Sequence, residues 1–410
     1  MSDVSESKFR IFREDNLDKF YTKEYISDIL VGLFKGKSYK NIVDLGCGDG
    51  SLSISASYLW PEAKFFTVDI DRNCMPQLYK IITPSHKINH IHVVHDVFDF
   101  ELPNKIGKNN YFDLAICNPP FSRLVWNDNF SKILQKSGFS EAICENVNIS
   151  SDTIFLAQNL ILVKDGGAIA IIVPDGFVTG QNFKSIRREI MKKNSIDNVI
   201  QLPEKSFHHT DARCFIIKIT KSKKQLSKIK LSKYDFGDEL LKELFINFND
   251  AEDRMDYDYY VNYKKKPNSI TIENLGADIR RGSIGKIQTL DKKFPTFHTT
   301  NFSQSIDGKL SFTEEIVNDF PEKCLIAEPG DILIARVDRK LYEKVCIIEK
   351  GCAAITDCVY RVRLPKFYQN KVFQYLRSEK GSIGLKSVSK GVSARLLGKK
   401  DLLSLSIEIE

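Results

Sequence analysis

The sequence predicts an α/β fold, a doubly wound and mostly parallel sheet, with a second α+β domain behind it. Three observations carry this reading. A short apolar run (Asn41-Ile42-Val43-Asp44-Leu45) opens into a glycine-rich turn (Gly46-Cys47-Gly48-Asp49-Gly50) and then a helical stretch over 51–60, the first crossover of such a sheet. Apolar runs of strand length then alternate with helix-length segments as far as residue 220. Acids close three successive runs, at the end of an open α/β sheet where ligands bind.

The rest of the composition narrows the class. The 410 residues, 42% hydrophobic and 28% charged, are enough for two domains with ordinary globular cores. No run approaches a membrane span and the start, MSDVSESKFR, lacks the apolar core of a signal peptide, so a cytoplasmic, nucleoid-associated protein without membrane contact is expected. The nine cysteines show no Cys-x-x-Cys and no zinc spacing, which predicts reduced, mostly buried thiols and no metal. A net charge of +7 is too small to identify a nucleic-acid binder by itself. Its distribution says more, with lysines crowded over 218–233 and arginines spread through the second half.

Taken in order, residues 21–34 read as a helix with Thr22 at its N-cap and Ile26, Ile29, Leu30 and Leu33 at helical spacing. In the turn that follows β-like residues 41–45, glycines allow close approach of a ligand, while Asp44 and Asp49 would repel a pyrophosphate. That anionic turn suits a ligand carrying positive charge, although a nicotinamide-binding loop shares the glycine pattern. The second run, 65–71, ends in Asp69, where a carboxylate can take both hydroxyls of a ribose. The third, 91–95, ends at Asp96-Val97-Phe98. A helix over 152–163, a strand over 168–174, a basic helix over 185–194, and strands over 198–203 and 214–220 complete the first domain.

The fourth run is the most informative. Phe112-Asp113-Leu114-Ala115-Ile116-Cys117 reads as a buried strand and stops at Asn118-Pro119-Pro120-Phe121. Two prolines remove two donors and fix φ, so the Asn118 side chain and the Pro119 carbonyl point in one stiff direction. An amino group conjugated to a ring is a poor nucleophile, because its lone pair is delocalised. Two acceptors aimed at its N–H bonds favour the pyramidal geometry that frees that pair, and Phe121 would stack on the ring. Downstream, Trp126 and Phe130 are candidates to line a substrate entrance.

The quartet resembles the catalytic motif of amino-methyltransferases, which act on adenine N6, cytosine N4 or glutamine N5. With the glycine turn, which resembles the S-adenosylmethionine loop of class I methyltransferases, and in this motif order, residues 15–222 look like a gamma-type adenine-N6 DNA methyltransferase. The resemblance implies a seven-stranded sheet whose last strand is inserted antiparallel. It also implies S-adenosylmethionine as cofactor, held by Thr22, Asp44, Gly46, Gly48, Asp69, Asp96, Val97 and Asn118. Thr22 matches the residue that contacts the methionine carboxylate, Asp96 the one on the adenine amino group, and Val97 the one over the adenine face. Asn118, Pro119, Pro120 and Phe121 match the catalytic positions. Phe207 matches the aromatic that stacks on the flipped target base opposite Phe121, while many members carry Tyr at position 121.

The domain boundary is expected at residue 250, giving a catalytic domain over 1–250 and a second domain over 251–410. In the latter, PGDILIAR, GCAAITDCVYRV and the closing segment resemble target-recognition domains of type I specificity subunits, which read duplex DNA in the major groove. Arg281, Lys286, Arg336, Arg339 and Lys340 are the candidate DNA contacts. The expected function is base-flipping methylation of adenine N6 in double-stranded DNA within a restriction-modification system, with a cognate restriction endonuclease or a second copy of the chain as possible protein partners. Methylation of RNA or of a protein glutamine, and a non-catalytic specificity component, are the alternatives.

Overall fold

The computed structural model describes residues 23–74, 89–140, 149–203, 206–207, 213–224, 228–234, 243–262, 270–285, 294–312, 320, 324–391 and 394–408. The chain divides into two compact units, one ending at Met255 and one beginning at Asp256.

The first unit is built on one sheet. Its strands are β1 (Asn41–Leu45), β2 (Lys64–Asp69), β3 (Asn89–Val94), β4 (Phe112–Cys117), β5 (Val163–Pro174), β6 (Ser195–Gln201), β7 (Cys214–Thr220), β8 (Lys228–Lys233) and β9 (Leu244–Asn247). They lie in the order β3-β2-β1-β4-β5-β7-β6-β8-β9. β1 to β5 run parallel, and β7 is inserted antiparallel between β5 and β6. On β4 the pleat divides the core: Leu114 and Ile116 pack in a cluster with Ile26 and Leu30 of the helix Glu24–Gly32 and Leu52 and Ala56 of the helix Ser51–Leu59. Ala115 and Cys117 alternate with them and are equally buried. A central parallel strand covered on both faces needs that continuous apolar run.

Seven strands were expected and the sheet has nine. β8 pairs parallel with β6, and β9 antiparallel with β8. Lysines disguise β8: Lys228, Lys230 and Lys233 sit around the buried Ile229 and Leu231, the period of a half-buried strand. β9 occupies residues 244–247, and residues 235–242 lie outside the described ones. The first helix begins at Glu24 with Lys23 in the cap position.

The end of the first unit is fixed by a buried cation. Arg187, 0% exposed, donates to Phe177 O at 2.7 Å, to Glu252 O at 3.0 and 2.9 Å, and to Asp253 O at 3.0 Å. Those carbonyls lie near the C-termini of two short helices, Asp175–Thr179 and Phe248–Asp253, where backbone acceptors have no intrahelical partner. The helix Phe248–Asp253 therefore belongs with the first unit, and residue 250 falls inside it.

The second unit is α+β. A five-stranded sheet runs in the order Asp278–Arg281, Val359–Arg363, Ile332–Ala335, Val345–Lys350, Lys309–Ser311. Helices Lys366–Arg377 and Glu379–Val388 join its core through Phe373, Leu376 and Leu385. Residues 353–363 form two strands, Ala353–Ile355 and Val359–Arg363, separated by a turn at Asp357. No helix among the described residues is long and apolar enough to cross a membrane.

Candidate active site at the strand tips

The sheet register brings the sequence motifs together. Leu45 in β1 pairs with Val68 in β2 and with Cys117 in β4, and the Cys117 thiol donates to Leu45 O at 3.3 Å. The next residues along the three strands are Gly46, Asp69 and Asn118. They leave the sheet side by side at one edge, on strands spaced about 4.8 Å apart.

The glycine turn is folded onto β2. The amides of Gly46 and Cys47 donate to Val68 O at 2.7 and 3.2 Å, and the Gly48 amide to Asp69 Oδ2 at 2.8 Å. Asp69 Oδ1 accepts from the Asp71 amide at 2.9 Å. The Asp69 carboxylate is thereby fastened to the loop it serves. Gly46 holds φ +70°, and a Cβ there would lie 2.8 Å from Phe155 Cε1. Gly48 holds φ +54° with open space where a side chain would stand. Only glycine meets both needs, a left-handed backbone and an uncovered surface.

Beneath the turn, Asp44 is 1% exposed. Ser53 Oγ donates to its Oδ2 at 2.6 Å, and Oδ1 has no hydrogen-bond partner among the described residues. Burial pushes this carboxyl up to about 7, Asp69 and Asp49 push the same way, and the Ser53 hydroxyl opposes them. A buried acceptor left open is costly unless a donor reaches it. An ammonium group fits that donor requirement, and so the residues present suit the charged end of S-adenosylmethionine. Beyond the end of β3, Asp96 Oδ1 accepts from the Phe98 amide at 2.9 Å, and Val97 is buried with its carbonyl held by Gln158 Nε2 at 2.9 Å. Thr22 lies outside the described residues.

The proline corner is braced from below. Asn118 is half-buried and Pro119 buried. Ser151, 0% exposed at the start of the helix Ser151–Leu162, donates its hydroxyl to Pro120 O and accepts from the Ser122 amide at 2.9 Å. Its own amide donates to Ser122 O at 3.0 Å. One side chain thus holds both sides of the corner. Nothing in the sequence flags it, because the contact spans 31 positions. Asp152 beside it was also missed: it is 0% exposed, and burial pushes its carboxyl up to about 6 against the opposing Ser150 hydroxyl and the amides of Asp152 and Thr153.

The two aromatic residues meet directly. The Phe121 and Phe207 centroids are 6.4 Å apart at 80°, edge to face, and Phe207 is 3% exposed in the core with Ile200 and Ile216. A base stacked on both would need parallel rings separated by about two ~3.4 Å stacking steps. That slot is not formed here, and Phe121 would have to turn to make it. Phe130 is likewise a core residue, 3% exposed and 5.7 Å from the Phe98 ring, whereas Trp126 is 39% exposed.

In the second unit, Arg281 donates to Asp357 O at 3.1 Å and Asp357 Oδ2 at 2.7 Å, and Arg336 to Asp357 O at 2.7 Å. Lys340 lies 3.5 Å from Glu343, and Arg339 is exposed. Lys286 lies outside the described residues.

Residues 1–259 match the family model of the N-6 DNA methylases. The chain belongs to the N-6 DNA methylase family. Among its relatives, the type II methyltransferase M.BsuBI of Bacillus subtilis is 27% identical over 203 residues, covering 45% of this chain and 39% of that protein. The ribosomal RNA large subunit methyltransferase F of Shewanella denitrificans is 29% identical over 169 residues, 36% of this chain and 43% of that protein. The chain therefore aligns with less than half the length of each. Among solved structures, the type IIG restriction endonuclease BpuSI has a similar fold, with a TM-score of 0.54 and 14% identity, over 95% of this chain and 58% of that one.

Proposed function

We propose that this N-6 DNA methylase family member transfers a methyl group from S-adenosylmethionine to adenine N6 in duplex DNA, as the modification activity of a restriction-modification system. The observation that carries the reading is the pairing of Leu45 with Cys117, from which the glycine turn and Asn118 emerge as neighbours. S-adenosylmethionine supplies a methyl group already activated on a sulfonium. Asp44 would receive its ammonium, the Gly46–Gly48 turn would pass close beside it, Asp69 would take the ribose hydroxyls, and Asp96 and Val97 would hold the adenine. Asn118 Oδ1 and the Pro119 carbonyl would accept from the two N6 hydrogens of the target base, with Phe121 against its ring. Phe207 joins this site only after Phe121 rotates.

The second unit is proposed as the DNA target-recognition domain, with Arg339 and Lys340 as its readiest phosphate or base contacts. Arg281 and Arg336 would reach DNA only while also holding Asp357. Support comes from the BpuSI likeness, which extends across 95% of the chain. A restriction endonuclease is the proposed functional partner.

Methylation-aware sequencing of DNA from cells expressing the protein tests the reading. The expected result is N6-methyladenine at one short recurring sequence, absent from cells lacking the gene. The ribosomal RNA relative favours a second acceptor class. Methyl incorporation into ribosomal RNA with none in DNA would replace the first reading by that one.

A further inference from the structure

The turn that follows the proline corner carries its apolar side chains outward. Val125 is 91% exposed, the most exposed large apolar side chain among the described residues, and Trp126 beside it is 39% exposed. Neither is among the buried hydrophobic residues described. Yet the turn is not loosely attached. The Ser122 amide is bound by Ser151 Oγ at 2.9 Å, Arg123 forms an antiparallel bridge with Ser150, and the Leu124 amide donates to Ile149 O at 3.0 Å. On its far side Asn127 caps the helix Asp128–Ser137, accepting from the Phe130 amide at 3.2 Å. A two-residue apolar tip is thus held between fixed stems. It starts four residues after Phe121, at most about 14 Å of extended chain from the ring that meets the target base.

Resting on the DNA reading above, we infer that Val125 and Trp126 form the wedge that enters the duplex and fills the space vacated by the flipped adenine. Extruding a base breaks its pairing and stacking, and apolar side chains are the groups that insert between base steps in proteins that kink DNA. Trp126 has the flat face needed to stack on the bases above and below the gap. Arg123, exposed at the stem, carries the charge suited to the neighbouring phosphate.

The test uses the full chain and its own methylation site, with two duplexes: one fully paired and one with the target adenine mispaired, which is cheaper to flip. Wild-type methylation of the paired duplex is required by the DNA reading itself, so its absence refutes that reading and not the wedge. For V125S/W126A, kcat/KM on the paired duplex is expected to fall by about 10- to 100-fold, with S-adenosylmethionine affinity unchanged and most of the loss recovered on the mispaired duplex. V125I/W126F is expected to keep the wild-type rate. V125S alone alters only an exposed side chain, so a partial, rescued loss there separates the wedge from misfolding. An equal loss on both duplexes, or no loss on either, overturns the inference.

Discussion

In the proposed placement of the cofactor, Asp44 makes its site sensitive to protons, and the effect has a definite sign. Its carboxyl is raised from 3.8 to about 7 chiefly by burial. At pH 6 the ligand-free protein therefore holds about ten protonated carboxyls for each ionised one. An ammonium needs the ionised form, so binding must displace that proton. Apparent affinity for S-adenosylmethionine should then be about tenfold lower at pH 6 than its plateau above pH 7, a difference of about 1.4 kcal/mol. The direction is fixed: affinity rises with pH across the window below 7, and each binding event releases a proton. Calorimetry between pH 5.5 and 7.5 reads both, since repeating the titration in buffers of different ionisation enthalpy counts the protons. Asp44→Asn keeps the shape of the side chain and removes the charge. It should weaken binding at pH 7.5 and flatten the pH dependence. An affinity independent of pH in the wild type, or a pH dependence that survives Asp44→Asn, would refute the placement of the ammonium on this carboxylate.

Three further outcomes follow from the same geometry. Asn118→Ala should lower single-turnover methyl transfer by about 100- to 1000-fold while cofactor affinity stays within a factor of about two, as read by rapid-quench and equilibrium binding; an undiminished rate removes Asn118 from the chemistry. Ser151→Ala should lower kcat by about tenfold, with little change in KM for DNA, because the corner loses its brace while the contact surface remains; a pure KM effect would argue against a positioning role. Arg187→Met should cost about 3–5 kcal/mol in urea unfolding, since it leaves carbonyls at two helix ends without their donor, and a loss below about 1 kcal/mol would show that those acceptors find other partners.

What the sequence revealed and what it hid divide along local lines. The strand-turn-helix at 41–59 and the Asn118-Pro119-Pro120-Phe121 corner are written in adjacent residues, since glycine and proline act on their own φ and on their neighbours. Their shared edge of the sheet follows from β1 and β4 running parallel, which brings their C-terminal ends together. β8 escaped because three lysines mask two buried apolar residues, and no local rule weighs alternation above composition in so short a stretch. Ser151 and Arg187 escaped for a different reason: their partners lie from 10 to 66 positions away, and a serine or arginine at a helix gives no hint of a distant carbonyl. The Phe121 and Phe207 pair is a different case. Motif position puts the two rings on opposite faces of a base, whereas the rings themselves meet edge to face at 6.4 Å, the arrangement favoured by their own quadrupoles. Arg281 and Arg336 show that a basic residue at a strand end is as readily recruited by a neighbouring acid, here Asp357, as left to meet DNA.

The claim beneath all of this is that the cofactor's sulfur and the Asn118 side chain face each other across the tips of β1 and β4. A crystal structure with S-adenosylhomocysteine measures that separation. The sulfur is expected over the Gly46–Gly48 turn, about one strand spacing, or ~5 Å, from Asn118. A sulfur bound on the other side of the sheet, or beyond reach of that side chain, would contradict it.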